Sequence, residues 1–237
     1  MAKLFTFGCS NTVGEALPDT VTKAGKQIDG PSKYAWPQLL GEKLNLSVTN
    51  LGQGGASNKY ICKKMLDTDL RSDDTVVFMW SYFARTCFFE NQKDYKRITP
   101  GNLTWRRTKA GKQSKQIRKD FKYNQDFYNN YFTWYNAFYE SYQQMNFAKM
   151  YLDSKGIANY HTTCETLPYT GIQERKFPWF KFFRENRYTE VAFAIPNWNT
   201  VNLHQIDTYD QNALDNDHPS VDAHKKMAED IYNIIKA

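Results

Sequence analysis

The six residues Thr75-Val76-Val77-Phe78-Met79-Trp80 form an unbroken apolar run between the turn residues Asp73-Asp74 and Ser81. A strand that is apolar on both faces must be covered on both faces, the condition of an interior strand in a parallel sheet. Two further strands precede it. Lys3 to Gly8 alternates toward strand and stops in Gly8-Cys9-Ser10-Asn11, and Ser47 to Leu51 stops in Gly52-Gln53-Gly54-Gly55. Between the strands lie helical patterns. Trp36, Leu39, Leu40 and Leu44 recur at helical spacing, with Pro37 in the first turn, and Ala56 to Leu70 carries Tyr60, Ile61, Lys64 and Met65. Strand, helix, strand, helix, strand predicts an α/β fold: a three-layer α/β/α sandwich around a central parallel sheet, of flavodoxin-like type.

Beyond Arg85 the pattern changes. Glu90 to Arg118 is polar and basic, contains Pro100-Gly101, and reads as a long excursion or lid. Phe121 to Leu152 holds thirteen aromatic residues; Phe127, Tyr131, Trp134, Phe138, Tyr142, Met145 and Leu152 fit one long amphipathic helix closed by Gly156. Ile157 to Thr162 reads as a strand and Val221 to Ile235 as a helix, while Glu165 to Asn212 shows no clear order. The expected organisation is one domain, 1–237, with a mainly helical, aromatic and basic insertion at about 88–155.

The net charge of +6 belongs to one segment. Between Arg106 and Lys122 eight cationic side chains stand against Asp120 alone, so the remainder is close to neutral; the segment reads equally as a solvated excursion or as a site for nucleic acid or an acidic glycan. No apolar run approaches the roughly 18 residues of a membrane span, and the N-terminus lacks a signal-peptide pattern, so a cytoplasmic protein is expected. Cys9, Cys62, Cys87 and Cys164 are scattered without C-x-x-C spacing, which fits reduced thiols rather than structural zinc or a disulfide framework.

Three segments carry candidate chemistry: Gly8-Cys9-Ser10-Asn11 after the first strand, the glycine block Asn50 to Asn58 after the second, and Asp215-Asn216-Asp217-His218-Pro219 before the last helix. In a doubly wound sheet the first two meet at the carboxyl edge of the strands, where the third can join them. A serine hydroxyl becomes a nucleophile when an imidazole removes its proton and a carboxylate orients that imidazole. Asp215-x-x-His218 places both partners on one tight turn. Backbone N–H groups of a glycine block can hold an oxyanion with no Cβ in the way.

This constellation resembles the SGNH, or GDSL-type, hydrolases. The resemblance covers residues 1 to about 85 and 212–237, and includes the helix Ala35-Trp36-Pro37-Gln38-Leu39-Leu40. It implies Ser10 as nucleophile, Asp215 and His218 as the rest of the triad, and the backbone N–H groups of Gly55 and Ser10 as the oxyanion hole. It implies no metal and no organic cofactor. Two departures stand out. Cys9 occupies the usual Asp position of the first block, and Trp80-Ser81-Tyr82-Phe83-Ala84-Arg85 replaces the third block with its Asn. Loss of one oxyanion donor costs roughly 10²–10³ in rate, and Ser81, Tyr82 or Arg85 are the candidate substitutes. The W-S-x-x-x-R pattern resembles a divergent branch of the kind phage genomes encode.

Competing readings remain open at each site. Ser10 could simply cap a helix, Asp217 competes with Asp215, and the glycine block could cradle phosphate, although it lacks the Lys of a P-loop. His161 and His204 read as structural and His224 as a surface residue. The expected function is a serine esterase removing a small acyl group, such as acetyl, from a carbohydrate. The alternative is a catalytically impaired module for glycan binding or for assembly into a virion-like particle. The expected partner is a small ester or acylated glycan, with neither nucleic acid nor membrane; the aromatic helix is compatible with a homo-oligomer.

Overall fold

A computed structural model describes residues 1–21, 30–92, 94–99, 115–164 and 218–236. Its order is β1 (Lys3–Gly8), α1 (Ser10–Val13), α2 (Trp36–Leu44), β2 (Ser47–Asn50), α3 (Asn58–Leu66), β3 (Thr75–Trp80), β4 (Thr86–Phe89), β5 (Tyr95–Ile98), α4 (Lys115–Asn130), α5 (Trp134–Ser154), β6 (Ala158–Thr163) and α6 (Val221–Lys236).

The central sheet runs β2-β1-β3-β6 with every pairing parallel. The chain steps outward from β1 to β2 and returns past β1 to β3. Right-handed crossovers therefore put α2 and α3 on opposite faces; α6 packs with α2 and α5 with α3. The expected α/β sandwich is present, its β3 buried at five of six positions as the apolar run requires. One face of the sheet carries an aromatic ladder in register. Phe7 stacks on Phe78 at 5.2 Å, and Phe78 on His161 at 4.9 Å and on Trp80 at 4.7 Å. Offset ring pairs of this kind add about 0.5–1.5 kcal/mol beyond the area they bury.

Two sequence expectations change. Residues 86–98, read partly as a polar excursion, contain an antiparallel hairpin in which Thr86 pairs with Ile98 and Phe89 with Tyr95. The single helix expected over 121–152 is two, broken at 131–133. Tyr131 and Phe132 both donate their N–H to Phe127 O, closing α4, and the Thr133 side chain accepts from Asn136 N to start α5. The aromatic spacing runs through the break and conceals it; the capping threonine is the local signal. Gly156 ends α5 as expected, with Ile157 N on Leu152 O.

The segment 165–212 and the first part of the basic run, 106–114, lie outside the described residues; 115–122 open α4. No described helix is long and apolar enough to cross a membrane.

Candidate active site

The reversal of chain direction between β1 and β3 opens a crevice at their carboxyl ends, the usual ligand position in open α/β sheets. Three segments leave the sheet there: Cys9-Ser10 after β1, Ser81 after β3 and Cys164 after β6.

Ser10 is the first residue of α1, a single turn held by Thr12 N and Val13 N on Cys9 O at 3.0 and 3.1 Å. It is 4% exposed. The turn folds tightly back onto the strand end. A Cβ on Gly8 would stand 2.0 Å from Thr12 Oγ1 and 2.8 Å from Met79 O, so only glycine fits.

The glycine block is fastened to this turn. Leu51 N donates to Thr6 O and Gln53 N to Gly8 O at 2.8 and 3.0 Å, prolonging the β1–β2 ladder. Asn50 Nδ2 donates to Thr12 O at 2.8 Å while Asn50 Oδ1 accepts from Gly52 N. Gly52 lies directly on α1, where a Cβ would be 2.6 Å from Val13 N. Gly55 takes a left-handed conformation, φ 71, and Arg97 of the hairpin lies over it while donating to Gly54 O.

After β3, Ser81 is fully buried. Its N–H donates to Asn58 Oδ1 at 2.7 Å and its carbonyl accepts from Asn58 Nδ2 at 3.1 Å. Its hydroxyl accepts from Arg85 Nη1 at 3.1 Å, and the Arg85 guanidinium lies 4.5 Å from the Tyr82 ring centroid. The Ser81 backbone donor is thus committed to Asn58. Burial pushes the Tyr82 phenol above its ordinary range, so it remains a protonated donor.

Cys9 and Cys164 are free, buried thiols whose Sγ atoms lie 3.5 Å apart, and Asn11 Nδ2 donates to Cys164 Sγ. The Cys164 hydrogen bond, with help from Arg85 and Asn11 N–H, lowers the Cys9 thiol against the opposing effect of burial, while Cys164 is pushed up. The G-C-S order does not reveal this pairing; the partner is 155 residues away.

His218 is half-buried just before α6. Its helix is tied to α2 by Trp36 N donating to His224 Nδ1 at 3.2 Å, and Ala35 in turn packs on Gly14 at the end of α1. These contacts tie α6 to the start of α2, which packs beside the end of α1. His224, expected at the surface, is fully buried, because the face bearing Ala223, Met227, Ala228 and Ile231 rests on the core. Burial chiefly, and the nearby His218, lower its pKa to about 4. His161 is structural: Trp80 Nε1 donates to its Nδ1 at 3.0 Å, which leaves its Nε2 to donate to Asn159 Oδ1 at 2.9 Å. Asp215, Asp217 and His204 lie outside the described residues.

No protein-family model and no curated protein matches the sequence. Among solved structures, a psychrotrophic esterase from Pseudoalteromonas sp. superposes over 100% of this chain and 97% of its own, with a TM-score of 0.53 at 10% identity. The chain has the SGNH, or G-D-S-L, esterase fold. A carbohydrate acetylesterase family member from Sinorhizobium meliloti (TM-score 0.49, 11% identity, 100% and 98% covered) and a G-D-S-L lipolytic protein from Veillonella parvula (0.48, 15%, 100% and 99%) are also similar.

Proposed function

We propose that the chain is a serine ester hydrolase acting on a small acyl group, acetyl on a carbohydrate in the first instance. The observation that carries this reading is the fastening of Asn50, Gly52 and Gln53 onto the Ser10 turn at the end of β1. His218 takes the Ser10 proton as Oγ attacks the acyl carbon. The N–H groups of Ser10 and Gly55 receive the charge that develops on the carbonyl oxygen. His218 then returns the proton to the departing alcohol, and a water molecule, activated in the same way, releases the acid from the acyl-enzyme. Asp215 orients the imidazole. No metal or cofactor enters any step. Turnover of short p-nitrophenyl esters that disappears in both Ser10→Ala and His218→Ala is the expected result.

One observation favours a second reading, a non-catalytic module. The third block has no Asn, and the Ser81 N–H beside it is held by Asn58. A chain that turns over no short ester supports that module.

A further inference from the structure

A cavity of about 240 Å³ lies outside the crevice. It is bounded by the β3–β4 loop at Phe83 to Thr86, the start of α3, the α4–α5 turn and one face of α5. That volume is equivalent to roughly eight water molecules, room for one small ring rather than an extended chain. Neither Ser10 nor His218 lines it, but Arg85 does, and Arg85 also holds Ser81 at the crevice. The cavity therefore adjoins the proposed ester site from the side of the segment that joins β3 to β6.

Its lining combines two kinds of group. The end of α4 and the turn after it supply the rings of Phe127, Tyr131 and Phe132, and Tyr131 is 74% exposed, a ring left unpacked beside a cavity. Asn136, Glu140 and Gln144 recur every four residues on one face of α5. Asn136 Nδ2 donates to Glu140 Oε1 at 2.9 Å, fixing the carboxylate and leaving its other oxygen to accept. Gln144 has no hydrogen-bond partner among the described residues. The two cations nearby are engaged: Lys59 Nζ lies 5.7 and 5.9 Å from the Phe88 and Phe89 ring centroids, and Arg85 binds Ser81 and Tyr82. Both cations face neutral partners and keep their charge beside the Glu140 carboxylate, so anionic probes decide between an acidic and a neutral ligand. Aromatic faces beside amides and one oriented carboxylate match the C–H face and vicinal hydroxyls of a neutral sugar ring.

We propose that this cavity is a monosaccharide subsite, in which a neutral pyranose stacks on Tyr131 and its neighbouring rings and is hydrogen-bonded by Asn136, Glu140 and Gln144. It rests on the esterase reading only in placing the sugar's ester toward Ser10; the binding itself requires no catalysis.

The test is saturation-transfer NMR and titration of the full chain, carrying Ser10→Ala, with glucose, xylose, galactose, N-acetylglucosamine and their short β-linked oligomers. Inorganic phosphate and sulfated glucosamine serve as anionic probes. The expected result is binding of at least one neutral sugar, weakened roughly ten-fold or more by Tyr131→Ala and by Gln144→Ala. Tyr131 is exposed, so its replacement leaves folding intact. Binding of the anionic probes alone, no neutral-sugar binding, or equal sugar binding by the parent and both variants overturns the proposal. Hydrolysis of p-nitrophenyl acetate by the unmodified chain separates the two readings. Hydrolysis without sugar binding sinks the subsite and keeps the esterase; sugar binding without hydrolysis sinks the esterase and keeps the subsite.

Discussion

The side-chain amide of Asn58 grips Ser81 from both sides, accepting from its N–H at 2.7 Å and donating to its carbonyl at 3.1 Å, with Ser141 Oγ as a further acceptor at 3.0 Å. Both residues are buried. Asn58→Ala leaves a buried N–H and C=O without partners, which costs about 2 kcal/mol. For a chain of this size that is a fall of roughly 4–8 °C in Tm. Asn58→Asp keeps the acceptor but sets a carboxylate against the Ser81 carbonyl, and is expected to be no better. Calorimetry or denaturant unfolding of both variants checks this.

Gly52 presses on the Ser10 turn, with space for no Cβ between it and Val13 N. Gly52→Ala is expected to lift the glycine block away from α1, lowering stability by about 1–3 kcal/mol. Ester hydrolysis should fall more than stability predicts, by as much as roughly 10²-fold, because displacement of the oxyanion donors acts on the transition state. Measuring kcat/KM beside the unfolding midpoint distinguishes displacement from simple unfolding.

His161 and His224 are buried as neutral imidazoles, with pKa values lowered to about 3 and about 4, burial being the larger cause in each. The unfolded chain binds these protons near its ordinary value of about 6.5. The stability they support is therefore complete above pH 6.5 and is lost as pH falls from there toward 4 and 3, at up to about 1.4 kcal/mol per pH unit for each. Urea unfolding at pH 7 and pH 5 should show the loss. NMR titration should show neither ring titrating between pH 5 and 8, and titration of either in that range contradicts the assignment.

The Cys9 thiol is lowered from its ordinary value by the Cys164 hydrogen bond and by Arg85, and is expected to titrate before Cys164. Its ultraviolet thiolate band should appear with a midpoint at lower pH than that of an ordinary thiol. Cys164→Ala removes the main donor and should move that midpoint upward; Cys9→Ala should abolish the band.

Much of the sheet was legible because its residues state their environment locally. The unbroken run at Thr75 to Trp80 requires burial on both faces, and the Gly8 and Gly52 stops mark where the chain turns at the edge of the sheet. The break between α4 and α5 was not, since Phe127, Tyr131, Trp134 and Phe138 keep helical spacing across it and only the Thr133 cap marks it. The hairpin was hidden for a similar reason: Tyr95 to Ile98 is a four-residue strand whose polar middle pairs only with β4. At the candidate site, the motif positions Ser10, Gly55 and His218 carry the proposed roles. The Asn58 clamp on Ser81 and the Cys9–Cys164 pair were not legible, because each depends on partners brought together by the sheet rather than by spacing.

The account turns on Ser10 as an activated nucleophile. Labelling of the intact chain by a fluorophosphonate probe, read by mass spectrometry of the modified peptide, tests this directly. The account predicts one adduct on Ser10, formed by the parent, absent in Ser10→Ala and strongly slowed in His218→Ala. No labelling of a folded parent chain, or labelling that persists in Ser10→Ala, contradicts it.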